Sequence, residues 1–228
     1  MSWRLWNRPS RSGFAAEMAA SFPEGLAPPT ELMDFFRWQE ANGLDVIEGD
    51  LRYAFLDPDQ PNSCMYAMPV DPRYVETWYG DAEQAVRARL APFLRSGGDG
   101  SVVALWQDDA GDLAFVHMGS GSGSTLLGIL TRNPVDFLRL IAIGYDELCW
   151  PEWFTQTPEQ AHNDAYRGVD ERPYQHRRKL RDWVEQRFGV RVPATASAIV
   201  AQVSEMDDAE SNDEFWNWNR ASQGWGLN

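Results

Sequence analysis

A chain of 228 residues with 43% apolar and 24% charged side chains can bury a sizeable core, and none of its apolar runs approaches the ~20 residues of a membrane span. Its net charge of −14 and pI near 4.6 argue against a general nucleic-acid binder, which needs a basic footprint to displace counterions from phosphate. Cys64 and Cys149 sit in no metal or redox spacing, and Arg4, Arg8 and Arg11 precede no apolar stretch of a secretory signal, so a cytoplasmic protein with reduced thiols is expected.

Residues 1–24 read as an irregular arm that packs through Trp3, Trp6, Phe14 and Phe22. Thr30 is expected to cap a helix running to about Ala41, with Leu32, Phe35 and Phe36 inward and Asn42-Gly43 ending it. A strand over 51–56 alternates so that Leu51, Tyr53 and Phe55 share one side. The following loop invites a calcium reading through Asp57 and Asp59. Pro61 at the third ligand position, Asn62 where glycine is required and Met68 in place of the closing acid reject it. Between 65 and 79 a further strand and a turn fit, with Pro69 and Pro72 limiting regular structure.

Asp81 and Gln84 predict a helix to about Leu94 that buries Val86, Leu90 and Leu94, with Pro92 bending it or ending it early. Residues 101–107 and 113–118 form a hairpin across DDAGD, and 125–130 adds another strand. Asn133, Pro134 and Asp136 are strong signals for a helix start, and the helix is expected over 134–148, apolar around most of its circumference and packed on the sheet. Gly144 within it is read as a place where a neighbouring backbone comes close. Beyond Pro151, helices are expected over 173–188, ended by Gly189, and over 195–206, with Ile199, Val200 and Val203 inward. Ser211 with Glu214 matches a capping box ahead of Phe215, Trp216 and Trp218.

The runs DFLRLIAIGYDELCWP, VVALWQDDAGDLAFVHMGS and PPTELMDFFRWQEANGL resemble the SUKH superfamily of small α+β proteins. That group includes fungal cell-wall regulators of the Smi/Knr type and bacterial immunity proteins that neutralise a cognate toxin. The resemblance covers roughly residues 25–150 and is carried by hydrophobic order with glycine and aromatic punctuation. The fold expected is α+β: a curved, mainly antiparallel sheet of at least four strands with helices packed on one side. Residues 25–150 form this core, and 151–228 form a helical C-terminal extension docked on it.

Motifs for chemistry are weak. His117, His162 and His176 are too scattered for a local metal site, and a hydrogen-bonded structural role is expected for His117. The run GSGSGS at 119–124 lacks phosphate-loop spacing and reads as a flexible strand connection. The basic run at 176–181, from His176 to Arg181, reads as a solvated or internally paired helix face. Eleven tryptophans keep an acidic carbohydrate-active enzyme open as an alternative, but most sit at core-like spacing and no acid pair stands out. No catalytic residue, cofactor or metal is expected.

The resemblance implies a monomeric, non-catalytic protein-binding module: an immunity protein that occludes a toxin, or a regulatory scaffold of the fungal type binding an endogenous partner. The acidic charge suits a basic toxin domain, which it would attract over long range. Acids cluster on and after the first helix at Asp34, Glu40, Asp45, Glu48, Asp50, Asp57 and Asp59, with Trp38 among them. These eight residues are the expected partner surface, an aromatic anchor inside a charged rim.

Overall fold

The computed structural model describes residues 13–59, 64–80, 84–167, 173–176 and 178–222. Among them, one open sheet of seven strands runs in sequence order, every neighbouring pair antiparallel. The strands are β1 (Asp45–Glu48), β2 (Leu51–Phe55), β3 (Tyr66–Ala67), β4 (Leu90–Arg95), β5 (Val102–Gln107), β6 (Leu113–Met118) and β7 (Leu127–Thr131). The helices are α1 (Phe14–Ser21), α2 (Thr30–Ala41), α3 (Pro72–Tyr79), α4 (Gln84–Arg87), α5 (Pro134–Ile141), α6 (Pro158–Ala165), α7 (Arg178–Phe188) and α8 (Glu214–Ser222). No helix of the described residues is long and apolar enough to cross a membrane. The expected mixed α+β fold with a helical C-terminal part is therefore what the chain adopts.

The sheet has a core on each face. On one, Phe93, Leu105 and Phe115 meet the buried sides of α1, α2, α5 and α7, with Phe115 and Phe137 stacked 4.2 Å apart. On the other, Val102, Ala104, Trp106, Val116 and Leu127 meet Val75 of α3, Val86 of α4, and Phe215 and Trp216 of α8. Helices thus cover part of the second face as well.

That two-sided burial explains one correction. Leu90 to Leu94 is a central strand, not the end of a helix from Asp81, and all five of its residues are buried. A run buried on both faces carries no alternation, so its leucines fit a helical period equally well. Pro92 is tolerated because the pairing with β5 shifts register between Pro92 and Leu94. Asp81 lies outside the described residues.

Other boundaries move for local reasons. The N-terminal arm contains a helix, α1, which buries Phe14 and Met18; Trp3 and Trp6 lie outside the described residues. Pro29 precedes α2, so Thr30 is its first residue rather than its cap. Pro72 starts α3 instead of breaking structure, because Asp71 caps it through the Arg73 N–H and a first-turn proline needs no donor. Helix α5 keeps its Asn133 cap but ends at Ile141, and Gly144 at φ 109 turns the chain so that Tyr145 and Leu148 are still buried.

Helix α7 begins at Arg178, and Gly189 at φ 65 ends it. The expected helix over 195–206 reduces to a short 3-10 turn, Ala196–Ala198. The chain beyond it runs along the outer edge of β7, where Ser204 accepts the Leu127 N–H at 2.8 Å and Val203 is exposed. Asp213, not Ser211, caps α8 through the Trp216 N–H at 2.9 Å, while its other oxygen accepts the Ile129 N–H of β7 at 2.7 Å. That edge is covered by the chain's own C-terminal part.

Candidate functional site

The eight acidic and aromatic residues do not form one surface. Asp34 pairs with Arg37 and Arg187. Trp38 is half-buried and stacks on Phe35 at 6.2 Å and on Trp183 at 5.2 Å. The Glu40 carboxylate accepts the N–H groups of Gly13 and Ala15, supplying α1 with the cap its own sequence lacks. Asp45 is fully buried against Arg52 at 2.8 Å. Asp57 is buried and accepts the Leu180 N–H at 2.8 Å at the start of α7, while Asp59 pairs with Lys179 at 3.0 Å. Glu48 and Asp50 alone of the eight are exposed with no ion pair to another of the described residues.

Both lie at one end of a groove of about 1030 Å³ that crosses the part of the second face left bare by α3 and α8. The alternation along β2 turns Leu51, Tyr53 and Phe55 toward this groove, whereas Ala54 faces the first core. Tyr53 meets Phe55 edge-on at 5.5 Å and Tyr66 at 4.9 Å, so the floor is a row of three rings. Tyr66 pairs across strands with Arg95, whose guanidinium is held by the carbonyls of Gly97 and Gly98. Met68 and Val70, on the segment entering α3, and Tyr74 of α3 form the far wall.

The rim carries both signs: Glu48 and Asp50 lie at the near end beside the Arg52–Glu17 pair, and Asp71, Arg73 and Arg95 line the rest. Burial works against the Arg52 charge, but hydrogen bonds to Asp45 and Glu17 more than offset it and hold its pKa above the ordinary arginine value. Burial and the neighbouring Glu48 carboxylate raise the Tyr53 phenol, and burial raises Tyr66. Both rings therefore present neutral hydroxyl groups at pH 7. Leu51 at the tip is 63% exposed, a large apolar side chain beside Glu48 and Asp50. The sequence carried the alternation that defines this floor but not which side of β2 would be open.

The remaining motifs have internal roles. His117 is buried between Ser96 Oγ at 2.9 Å and the Leu126 carbonyl at 3.0 Å, and burial lowers its pKa to about 4. Its Nδ1–H donates to Leu126, leaving Nε2 to accept the Ser96 hydroxyl. The GSGSGS loop is held in place: Asp99 accepts from the hydroxyls of Ser101 and Ser120 and the backbone N–H groups of Ser101 and Ser124. Although burial acts against it, these donors lower the Asp99 pKa to about 2. In the basic run, Lys179 pairs with Asp59 and Arg181 donates to the Pro193 carbonyl at 3.4 Å; Arg177 lies outside the described residues.

No group of three or more His, Cys, Asp or Glu able to hold a metal ion occurs among the described residues. No protein-family model, curated protein or solved structure matches the chain.

Proposed function

We propose that this protein is a non-catalytic protein-binding module, and that the groove over β2 and β3 is its contact face. The observation that carries the reading is a floor of Tyr53, Phe55 and Tyr66 beside an exposed Leu51, next to the exposed carboxylates of Asp50 and of Glu48, which accepts the Tyr53 hydroxyl at 3.3 Å. Aromatic anchors inside a charged rim are what a protein interface uses: the anchors slow release and the charges speed encounter.

The net charge of −14 favours a basic partner. Together with the SUKH resemblance, this makes the partner a basic toxin domain and the protein a cytoplasmic immunity protein that occludes it, acting as a monomer without cofactor. The eight residues first expected at the contact reduce in this proposal to Glu48 and Asp50.

The test is binding kinetics against a basic toxin domain, sought first in the adjoining reading frame. Glu48→Lys with Asp50→Lys should slow association most at low salt, and Tyr53→Ala should speed dissociation. Unchanged kinetics in both variants, with melting intact, would exclude the groove as the interface. An unrelated neighbouring gene, with binding to an endogenous protein instead, would favour the regulatory scaffold.

A further inference from the structure

A second cavity, of about 360 Å³, lies between the turn after α5 and helix α6. Its construction follows from local sequence. Pro151 opens a 3-10 turn, Pro151–Trp153, whose Trp153 N–H returns to the Trp150 carbonyl at 3.1 Å and brings the two indoles to 5.9 Å at an interplanar angle of 56°. Helix α6 is anchored by a Thr157/Gln160 capping box and turns Ala161 and Ala165 to the cavity, small residues that leave the space open. His162 and Tyr166, one turn apart, meet at 4.8 Å and close the same wall.

Apart from His162, the charged side chains of the described residues that line this cavity are acidic. Asp146, Glu147 and Glu152 line it, and no lysine or arginine of the described residues does. Glu147 accepts the Trp150 indole N–H at 2.6 Å and the Gly98 N–H at 2.8 Å. Those donors are neutral, so they fix the carboxylate and the Trp150 ring without cancelling the charge. Asp146 is hydrogen-bonded to His162 Nδ1 at 2.5 Å, so Glu147 and Glu152 are the carboxylates left to face a cation. Aromatic walls with nearby carboxylates attract a cation twice, through the ring quadrupoles and through charge, and most strongly where water is partly excluded. A cavity of this size lies in the ordinary range for small-molecule sites.

We infer that this cavity is a recognition site for an organic cation: an alkylammonium head group on a short stem, held against the rings of Trp150 and Trp153 where they line the cavity, beside Glu147 and Glu152. The site is separate from the groove over β2 and stands whether or not that groove binds a protein. Two sources carry the chemistry, a free quaternary ammonium compound and the lysine side chain of a protein.

The experiment follows indole N–H resonances of the full chain in low salt, with Trp150 assigned by Trp150→Phe. Choline, Nα-acetyl-lysine methylamide and the neutral isostere 3,3-dimethylbutan-1-ol are titrated in parallel. Saturable shifts of Trp150 and Trp153 with either cation and none with the alcohol support the site, and the tighter cation identifies the source. No saturable shift with either cation, or equal shifts with the alcohol, overturns it. Trp153→Ala should weaken cation binding about tenfold or more. Because that variant also removes core packing, Glu152→Lys is the second test: Glu152 is exposed, melting should be unchanged, and cation binding should be lost. Cation binding retained at wild-type strength in Glu152→Lys would place the site elsewhere and overturn the assignment.

Discussion

The carboxylate of Asp57 accepts the backbone N–H of Leu180 at 2.8 Å, joining residues 123 positions apart. Both are buried, so this is the point at which the C-terminal part is tied to the loop after β2. A helix start lacks partners for its first N–H groups, and one of those of α7 is satisfied from across the molecule.

Asp57→Ala is expected to cost about 1–3 kcal/mol, the price of a lost cap with a buried donor left unpaired. Asp57→Asn, which keeps an acceptor oxygen, should recover part of that loss. Urea unfolding measures both, and equal stability of Asp57→Ala and wild type would mean that water replaces the bond freely.

The Trp38–Trp183 stack joins α2 to α7 on the same side of the molecule. Trp183→Ala should destabilise by about 3 kcal/mol, the low end for aromatic truncation, since the ring is only half-buried. In a double-mutant cycle with Trp38→Ala, a coupling of about 0.5–1.5 kcal/mol is expected. Strict additivity would show that the two rings contribute by burial alone.

Stability should fall with pH in two stages. His117 has a folded pKa lowered from 6.5 to about 4 by burial, so the unfolded chain binds its proton first. Its contribution is fully present above about pH 6.5 and is lost as pH falls toward 4. Asp99, lowered from 3.8 to about 2, contributes above its unfolded value and loses that contribution as pH falls through its folded value. Denaturation of His117→Asn between pH 7 and 4 should give a flatter profile than wild type, though less stable at pH 7. A slope identical to wild type would assign the first stage to other groups.

Gly123 and Gly128 are among the glycines required by close approach rather than by φ. A Cβ on Gly123 would lie 2.8 Å from Asp99 Cβ, and one on Gly128 would lie 2.9 Å from Asp213 Oδ2. Each carboxylate is held by several donors and has little freedom to retreat. Gly123→Ala and Gly128→Ala should each destabilise by about 1–3 kcal/mol, read by thermal or urea unfolding. A neutral Gly123→Ala would show that the loop is not held on Asp99 as described.

What was legible in the sequence was what neighbouring residues decide among themselves. The Asn133-Pro134-Asp136 start of α5, the Asn42-Gly43 end of α2, Gly189 after α7 and the DDAGD turn between β5 and β6 are all short-range chemistry of caps and turns. The apolar faces of α2 and α7 were readable for the same reason: one side buried and one side wet leaves a period in the sequence.

Tertiary structure decided the rest, where the deciding partner is far along the chain. Leu90 to Leu94 is a strand because β3 and β5 lie on either side of it, and burial on both faces erased the period that would have announced it. Ser204 and Glu205 pair with Leu126 and Leu127 instead of continuing a helix, because β7 offers an edge to cover. Glu40 and Asp57 resemble surface acids in sequence, yet each meets the unpaired N–H groups of a distant helix start, so a carboxylate's role depended on which helix end came within reach. The same holds for the groove. The row Leu51, Tyr53, Phe55 was visible from its alternation, but whether that side met a helix or water depended on where α3 and α8 came to rest on the sheet.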